Sequence, residues 1–143
     1  MKLVQLLLDS KGRDIISVAA DISVLDAIKL MAEKTVGSLL VMQGDELQGI
    51  MTERDYARKV IIKGRSSETT EVGEIMTTNV CSVSSQEKVT DCMTLMTKRK
   101  IRHLPVIDDG MVVGMLSIGD MVKAIISDQQ EEIQQLEQYI SGS

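Results

Sequence analysis

Two stretches, "GIMTERD" (49–55) and "GMLSIGD" (114–120), decide how this chain is read. Each is a glycine, two apolar residues, a hydroxyl residue, two variable positions and an aspartate. Gly114 and Asp120 both lie 65 positions after their counterparts Gly49 and Asp55. Extending that offset, 16–56 aligns on 81–121 without a gap, with ten identities over 41 positions. They are Ser17/Ser82, Val18/Val83, Val24/Val89, Asp26/Asp91, Leu30/Leu95, Met31/Met96, Leu39/Leu104, Val41/Val106, Gly49/Gly114 and Asp55/Asp120. The apolar pattern agrees almost throughout, so the chain is an internal repeat.

Each copy has one order of elements. "IISV" and "VCSV" read as short strands. A helix follows, with Val24, Ala27, Ile28 and Met31 on one stripe in the first copy and Val89, Cys92, Met93 and Met96 in the second. "GSLLVM" and "RHLPVID" read as buried strands. Gly- and Asp-rich turns then lead into "LQGIM" and "VVGML", the second arms of hairpins. The hydroxyl-x-x-Asp opens a last helix. The fold class is therefore α+β: two β-α-β-β-α repeats packed about a pseudo-twofold axis, plus a C-terminal helix. We place the first repeat with a lead-in helix at 1–63, a Gly/Ser/Thr-rich linker at 64–71, the second repeat at 72–126 and an amphipathic tail at 127–143. "VGEIM" (72–76) echoes "VQLLL" (4–8) as a second lead-in helix. Pro105, the only proline, stands where the first copy has Leu40 and lacks a donor N–H.

The tail carries Ile126, Ile133, Leu136 and Ile140 at spacings of 7, 3 and 4, a short heptad seam. It packs either on its own domain or against a second chain.

Composition narrows the function. With no Trp, no Phe and only Tyr56 and Tyr139, the core is aliphatic, filled out by ten Met. The aromatic platforms of single-strand binders are missing, and the net charge of −5 argues against nucleic acid as a partner. Two cysteines and one histidine make a poor metal set. No apolar run is long enough for a membrane span, and the N-terminus lacks a signal-peptide pattern, so the expected compartment is the cytoplasm.

Thr52-x-x-Asp55 and Ser117-x-x-Asp120 match the capping box. The same residues suit a ligand. A helix N-terminus seats phosphate, and an ionised aspartate accepts two hydrogen bonds from a ribose diol. Capping and binding are compatible.

The element order, the Gly-apolar-apolar-Thr/Ser-x-x-Asp corner and the phrase "IRHLPVID" resemble paired CBS domains, named after cystathionine β-synthase; such a pair is called a Bateman module. The resemblance covers about residues 4–126, and the chain is similar to stand-alone bacterial or archaeal CBS-pair proteins. It implies a disc-like homodimer through the CBS-pair faces; the heptad seam of the tail, read separately, offers the C-terminal helix as a further contact. It also implies an adenosine-containing ligand (AMP, ADP, ATP, NAD or S-adenosylmethionine) and regulation of another protein. Carried over, Asp55 and Asp120 hold ribose while Thr52 and Ser117 touch phosphate. The base slot pairs Ile16 and Asp14 with Asp120, and Cys81 and Asn79 with Asp55. Arg102 and His103, where the first copy has Gly37 and Ser38, reach the phosphates of the Asp120 site. Arg54 or Arg58 serves the Asp55 site. For His103 the plain alternative is a polar residue at a strand start.

The expected function is a regulatory nucleotide sensor with no catalytic cofactor and no metal. The competing readings are a ligand-free dimerisation module and a nucleotide-processing enzyme. For the last, His103, Cys81, Cys92 and Asp108–Asp109 are present, but no nucleophile motif or Walker-type loop accompanies them.

Overall fold

A computed structural model describes residues 2–142. The elements in chain order are α1 (Val4–Lys11), β1 (Ser17–Val18), α2 (Val24–Lys34), β2 (Ser38–Gln43), β3 (Glu46–Thr52), α3 (Glu53–Tyr56), α4 (Val72–Ile75), α5 (Val89–Arg99), β4 (His103–Asp108), β5 (Met111–Ser117) and α6 (Ile118–Ile140). Helix α3 runs directly into a π-helical segment, Ala57–Ile61. Among the described residues no helix is long and apolar enough to cross a membrane.

The chain forms two compact units, and their boundaries depart from the repeat boundaries. One unit is Ile15–Cys81. The other joins the N-terminal segment through Asp14 to everything from Ser82 onward. Each lead-in helix therefore packs with the other repeat's strands, which corrects the assignment of the N-terminal helix to the first repeat. The reason is visible in the backbone. The amides of Val4 and Gln5 donate to Glu87 and Ser85, and Val89 N donates to Lys2 O, so α1 docks on the entry to α5. In the other unit Val72 N donates to Ile22 O and Val24 N to Thr70 O, so α4 docks on the entry to α2 in the same manner.

The 64–71 linker is likewise no loose tether. Thr70 is buried, and Ser67 O accepts from Leu25 N.

In Ile15–Cys81 the sheet order is β1-β2-β3, with β1 parallel to β2 and β2 antiparallel to β3. Val24, Ala27, Met31, Leu39, Val41, Met51, Val60, Val72 and Ile75 form its core. The alternation of Leu39, Val41 and Met51 toward α2 follows from the period-two geometry of strands.

Among its described residues the second unit has only the β4–β5 hairpin as a sheet. The strand expected at "VCSV" contracts to one parallel bridge, Val83↔Val106. Proline explains the loss. Leu40 N donates to Ile16 O in the first unit, and Pro105, at the equivalent position, has no N–H to give. Both hairpins carry a one-residue bulge at the same place, between Val41 and Met42 and between Val106 and Ile107. The repeat thus extends to its irregularities.

The tail is continuous with the repeat. Between Gly119 and Gly142 the sequence offers neither glycine nor proline, and α6 runs unbroken from Ile118 to Ile140. Past Asp128 every described residue is exposed.

Candidate functional site

The two Gly-led corners are built by the same local rules. Thr52 Oγ1 accepts from Asp55 N at 3.1 Å, and Asp55 Oδ2 accepts from Thr52 N at 3.0 Å. Ser117 Oγ accepts from Asp120 N at 3.2 Å, and Asp120 Oδ2 accepts from Ser117 N at 2.9 Å. Both are complete capping boxes.

The strand opposite completes each corner. Ser38 pairs with Thr52, and His103 pairs with Ser117. Gly37 O accepts from Glu53 N, and Arg102 O accepts from Ile118 N, at 3.1 and 2.9 Å. The residue pairs singled out in sequence at 37–38 and 102–103 therefore flank the corner hydroxyls. Ser38 is buried and His103 half-buried, while the Arg102 and Arg54 side chains are exposed.

The motif glycines have a packing cause. A Cβ on Gly49 would lie 2.8 Å from both Met76 Sδ and Thr77 O, and one on Gly114 would lie 2.7 Å from Leu8 Cδ2. The segment at each lead-in helix passes so close over the strand that a side chain there would force its neighbours to shift.

That close pass brings Thr77 and Lys11 to the corners, and Lys59 joins Asp55 from the same helical run. Thr77 Oγ1 donates to Asp55 Oδ1 at 3.1 Å, and Lys59 Nζ reaches the same oxygen at 3.0 Å while donating to Ile75 O. Asp55 is thus engaged on both oxygens, with its side chain only 9% exposed. At the other corner Lys11, from the end of α1, contacts Asp120 Oδ2 at 2.9 Å and donates to Met115 O. Here both backbone and lysine converge on one oxygen, and the side chain keeps 23% exposure. Burial alone would raise the Asp120 carboxyl. The Lys11 ammonium and the Ser117 amide and hydroxyl outweigh it and hold the group below the usual carboxylate range.

The remaining predicted residues lie further out. Asp14 is exposed, three residues past Lys11. Asn79 is exposed and Cys81 half-buried, both following Thr77, and neither bonds the corner. Ile16 belongs to the Ile15–Cys81 unit, where its carbonyl holds Leu40 and its side chain packs on the core, whereas Asp120 belongs to the other unit. Sequence reasoning missed Lys11, Lys59 and Thr77. Lys59 carried a signal, four residues after Asp55 on one helix. Lys11 and Thr77 carried none, because the lead-in segments reach the corners only through the tertiary exchange.

Of the groups that suggested catalysis, Cys92 is fully buried. Burial first, then Glu87 and Asp91, push its thiol up to about 11, so it is protonated at neutral pH. Asp108 accepts from Ser85 N at 2.9 Å, which secures the turn after Val83. No cluster of three His, Cys, Asp or Glu able to hold a metal occurs among the described residues.

The family model of the CBS domain matches this chain twice, over residues 11–62 and 72–127. The chain belongs to the CBS-domain family. Its two repeats are a CBS pair, as the solved relatives also show. A protein with CBS domains from Burkholderia ambifaria MC40-6 is 51% identical, superposes with a TM-score of 0.87, and is matched over 90% of this chain and 96% of its own. The mitochondrial CBS domain-containing protein CBSX3 of Arabidopsis thaliana is 48% identical over 127 residues, 85% of this chain. The CBS pair here spans 62% of that relative's length. The CBS domain pair of protein MJ0100 is 27% identical with a TM-score of 0.79, over 90% of this chain and 98% of its own. It was solved in complex with 5′-methylthioadenosine and S-adenosyl-L-methionine.

Proposed function

We propose that this CBS pair is a regulatory module that binds an adenosine-containing ligand of the AMP, ADP, ATP or NAD type at the Asp120 corner. Binding changes the protein's affinity for a regulated partner. The observation that carries this reading is the asymmetry of the two carboxylates. Asp55 has all its acceptor directions engaged by Thr52, Thr77 and Lys59. Asp120 is ionised and more open, with its contacts gathered on one oxygen. A ribose diol donating to Asp120 exchanges for the Lys11 ammonium, and the released lysine then faces the ligand's phosphates. Strand register sets His103 opposite Ser117, and Arg102 is the residue before it, so two further basic residues adjoin the corner. The adenosine ligands of MJ0100 support the ligand class. The basic set around Asp120 favours phosphorylated adenosines over the cationic sulfonium of S-adenosylmethionine.

The Asp55 corner supports a second reading. Its nearly buried, fully bonded carboxylate serves as a structural cap. The ligand-free module that this corner describes is then half of the molecule rather than all of it. No catalytic step is assigned to either corner.

Asp120→Asn tests the proposal, because the amide oxygen keeps the cap while the charge and the two-oxygen acceptor are lost. In a thermal-shift panel of AMP, ADP, ATP, NAD and S-adenosylmethionine, a ligand at about 100 times its dissociation constant adds roughly 2.7 kcal/mol of stability. The expected result is an adenine-nucleotide shift present in the wild type and in Asp55→Asn and lost in Asp120→Asn. Absence of any shift in nucleotide-free, folded protein would overturn it.

A further inference from the structure

Helix α6 carries two unrelated faces. Near its start Met121 and Ala124 are buried, and Asp128 pairs with Lys2 at 3.6 Å. About 130° around the helix axis runs a second stripe, Val122, Ile126, Gln129, Ile133, Leu136 and Ile140. All six are exposed, Ile140 at 81%. In heptad terms Ile126, Ile133 and Ile140 take the a positions, and Val122, Gln129 and Leu136 take the d positions. From Gln129 onward every described residue of the helix is exposed. An isolated helix of that length is marginal in water unless its apolar face is covered. The reading in which the tail packs on its own domain is therefore corrected by its exposure.

The flanking charges select what covers it. Lys123, Gln130 and Glu137 occupy e positions, and Ile125, Glu132 and Tyr139 occupy g positions. In a parallel pair, g faces the e that follows on the other helix, so Glu132 would oppose Glu137 of the partner subunit twice, with no compensating cation. In an antiparallel pair, e faces e and g faces g. Aligning Ile126 with Leu136 of the partner subunit then sets Lys123 against Glu137 of the partner subunit, twice by symmetry. It also sets Ile125 against Tyr139 of the partner subunit, twice, and leaves one Glu132–Glu132 contact. Neither Lys123 nor Glu137 makes an ion pair among the described residues.

We propose that α6 pairs antiparallel with α6 of a second copy of this chain over Val122–Ile140, a seam ~28 Å long, with reciprocal Lys123–Glu137 pairs fixing the direction. The pairing rests on α6 and not on the nucleotide reading. The test is self-association of the full chain by sedimentation equilibrium at low salt. Lys123→Glu and Glu137→Lys each turn two attractions into two repulsions, so each weakens association about tenfold. The double variant Lys123→Glu/Glu137→Lys restores the pairs with signs exchanged and brings association back to the wild-type value. Ile133→Asp in the seam removes the α6-dependent step and leaves only the association that the CBS-pair faces support. A tighter dimer in Glu137→Lys would show parallel pairing, since the introduced ammonium then attracts Glu132 of the partner subunit, and would overturn the proposal. Unchanged association in both single variants, or a monomeric wild type, would overturn it as well.

Discussion

Asp120 shows how one side chain serves packing and chemistry together. It caps α6, it fixes the end of α1 through Lys11, and it keeps an exposed edge. Its carboxyl titrates below the usual range in the folded chain and at about 3.9 in the unfolded one. A depressed folded value means that the native state binds the proton less readily than the unfolded state. The stabilisation is complete above about pH 4 and is lost as pH falls through the folded value. Lys11→Met removes the ammonium and keeps the aliphatic stem. The expected loss is about 1 kcal/mol at pH 7, modest because both groups are partly solvated. The gap to wild type should close in urea titrations taken well below pH 4. A gap that stays constant down to pH 2 would remove Lys11 from the account. The hydroxyl-x-x-Asp spacing made the cap legible in sequence, since it depends only on residues three apart. The lysine on Asp120 was not legible, since 109 positions separate the pair and no local rule connects them.

At the level of elements, the repeat was legible wherever period and turn chemistry decide the outcome. The α2 and α5 stripes and both hairpins follow the apolar pattern, and even the two bulges coincide. Where the copies diverge, a single residue type is responsible. Pro105 cannot donate, and the first strand of the second repeat contracts to a bridge. The motif glycines differ in a way the sequence does not display. At Gly49 the obstacle to a methyl group includes the backbone carbonyl of Thr77, which cannot turn aside. At Gly114 the obstacle is the end of the Leu8 side chain, which can change rotamer. Gly49→Ala should therefore cost roughly 2–3 kcal/mol and Gly114→Ala about 1 kcal/mol. Urea midpoints of the two variants measure this directly. Equal costs would mean that the Thr77 segment yields as easily as a leucine methyl.

For the whole molecule, the decisive feature is the exchange of lead-in helices, and it was illegible for a stated reason. Sequence adjacency placed the N-terminal helix with the repeat that follows it, and because the repeats are alike the apolar pattern alone does not choose between them. In the fold Thr70 O accepts from Val24 N and Val72 N donates to Ile22 O, which docks the end of the 64–71 segment and α4 at the entry of α2. A fragment cut at the repeat boundary, 1–63, keeps a helix that belongs elsewhere and lacks α4. It leaves Val24, Met31 and Met51 without Val72 and Ile75, two fully buried core residues. Burying those two side chains is worth roughly 4–6 kcal/mol. A unit of this size has a total stability of roughly 3–10 kcal/mol. The fragment 15–81 retains them and all of its sheet. Urea unfolding followed by circular dichroism should then be cooperative for 15–81 and featureless for 1–63. If 1–63 unfolds as sharply as 15–81, then α4 contributes little to its unit.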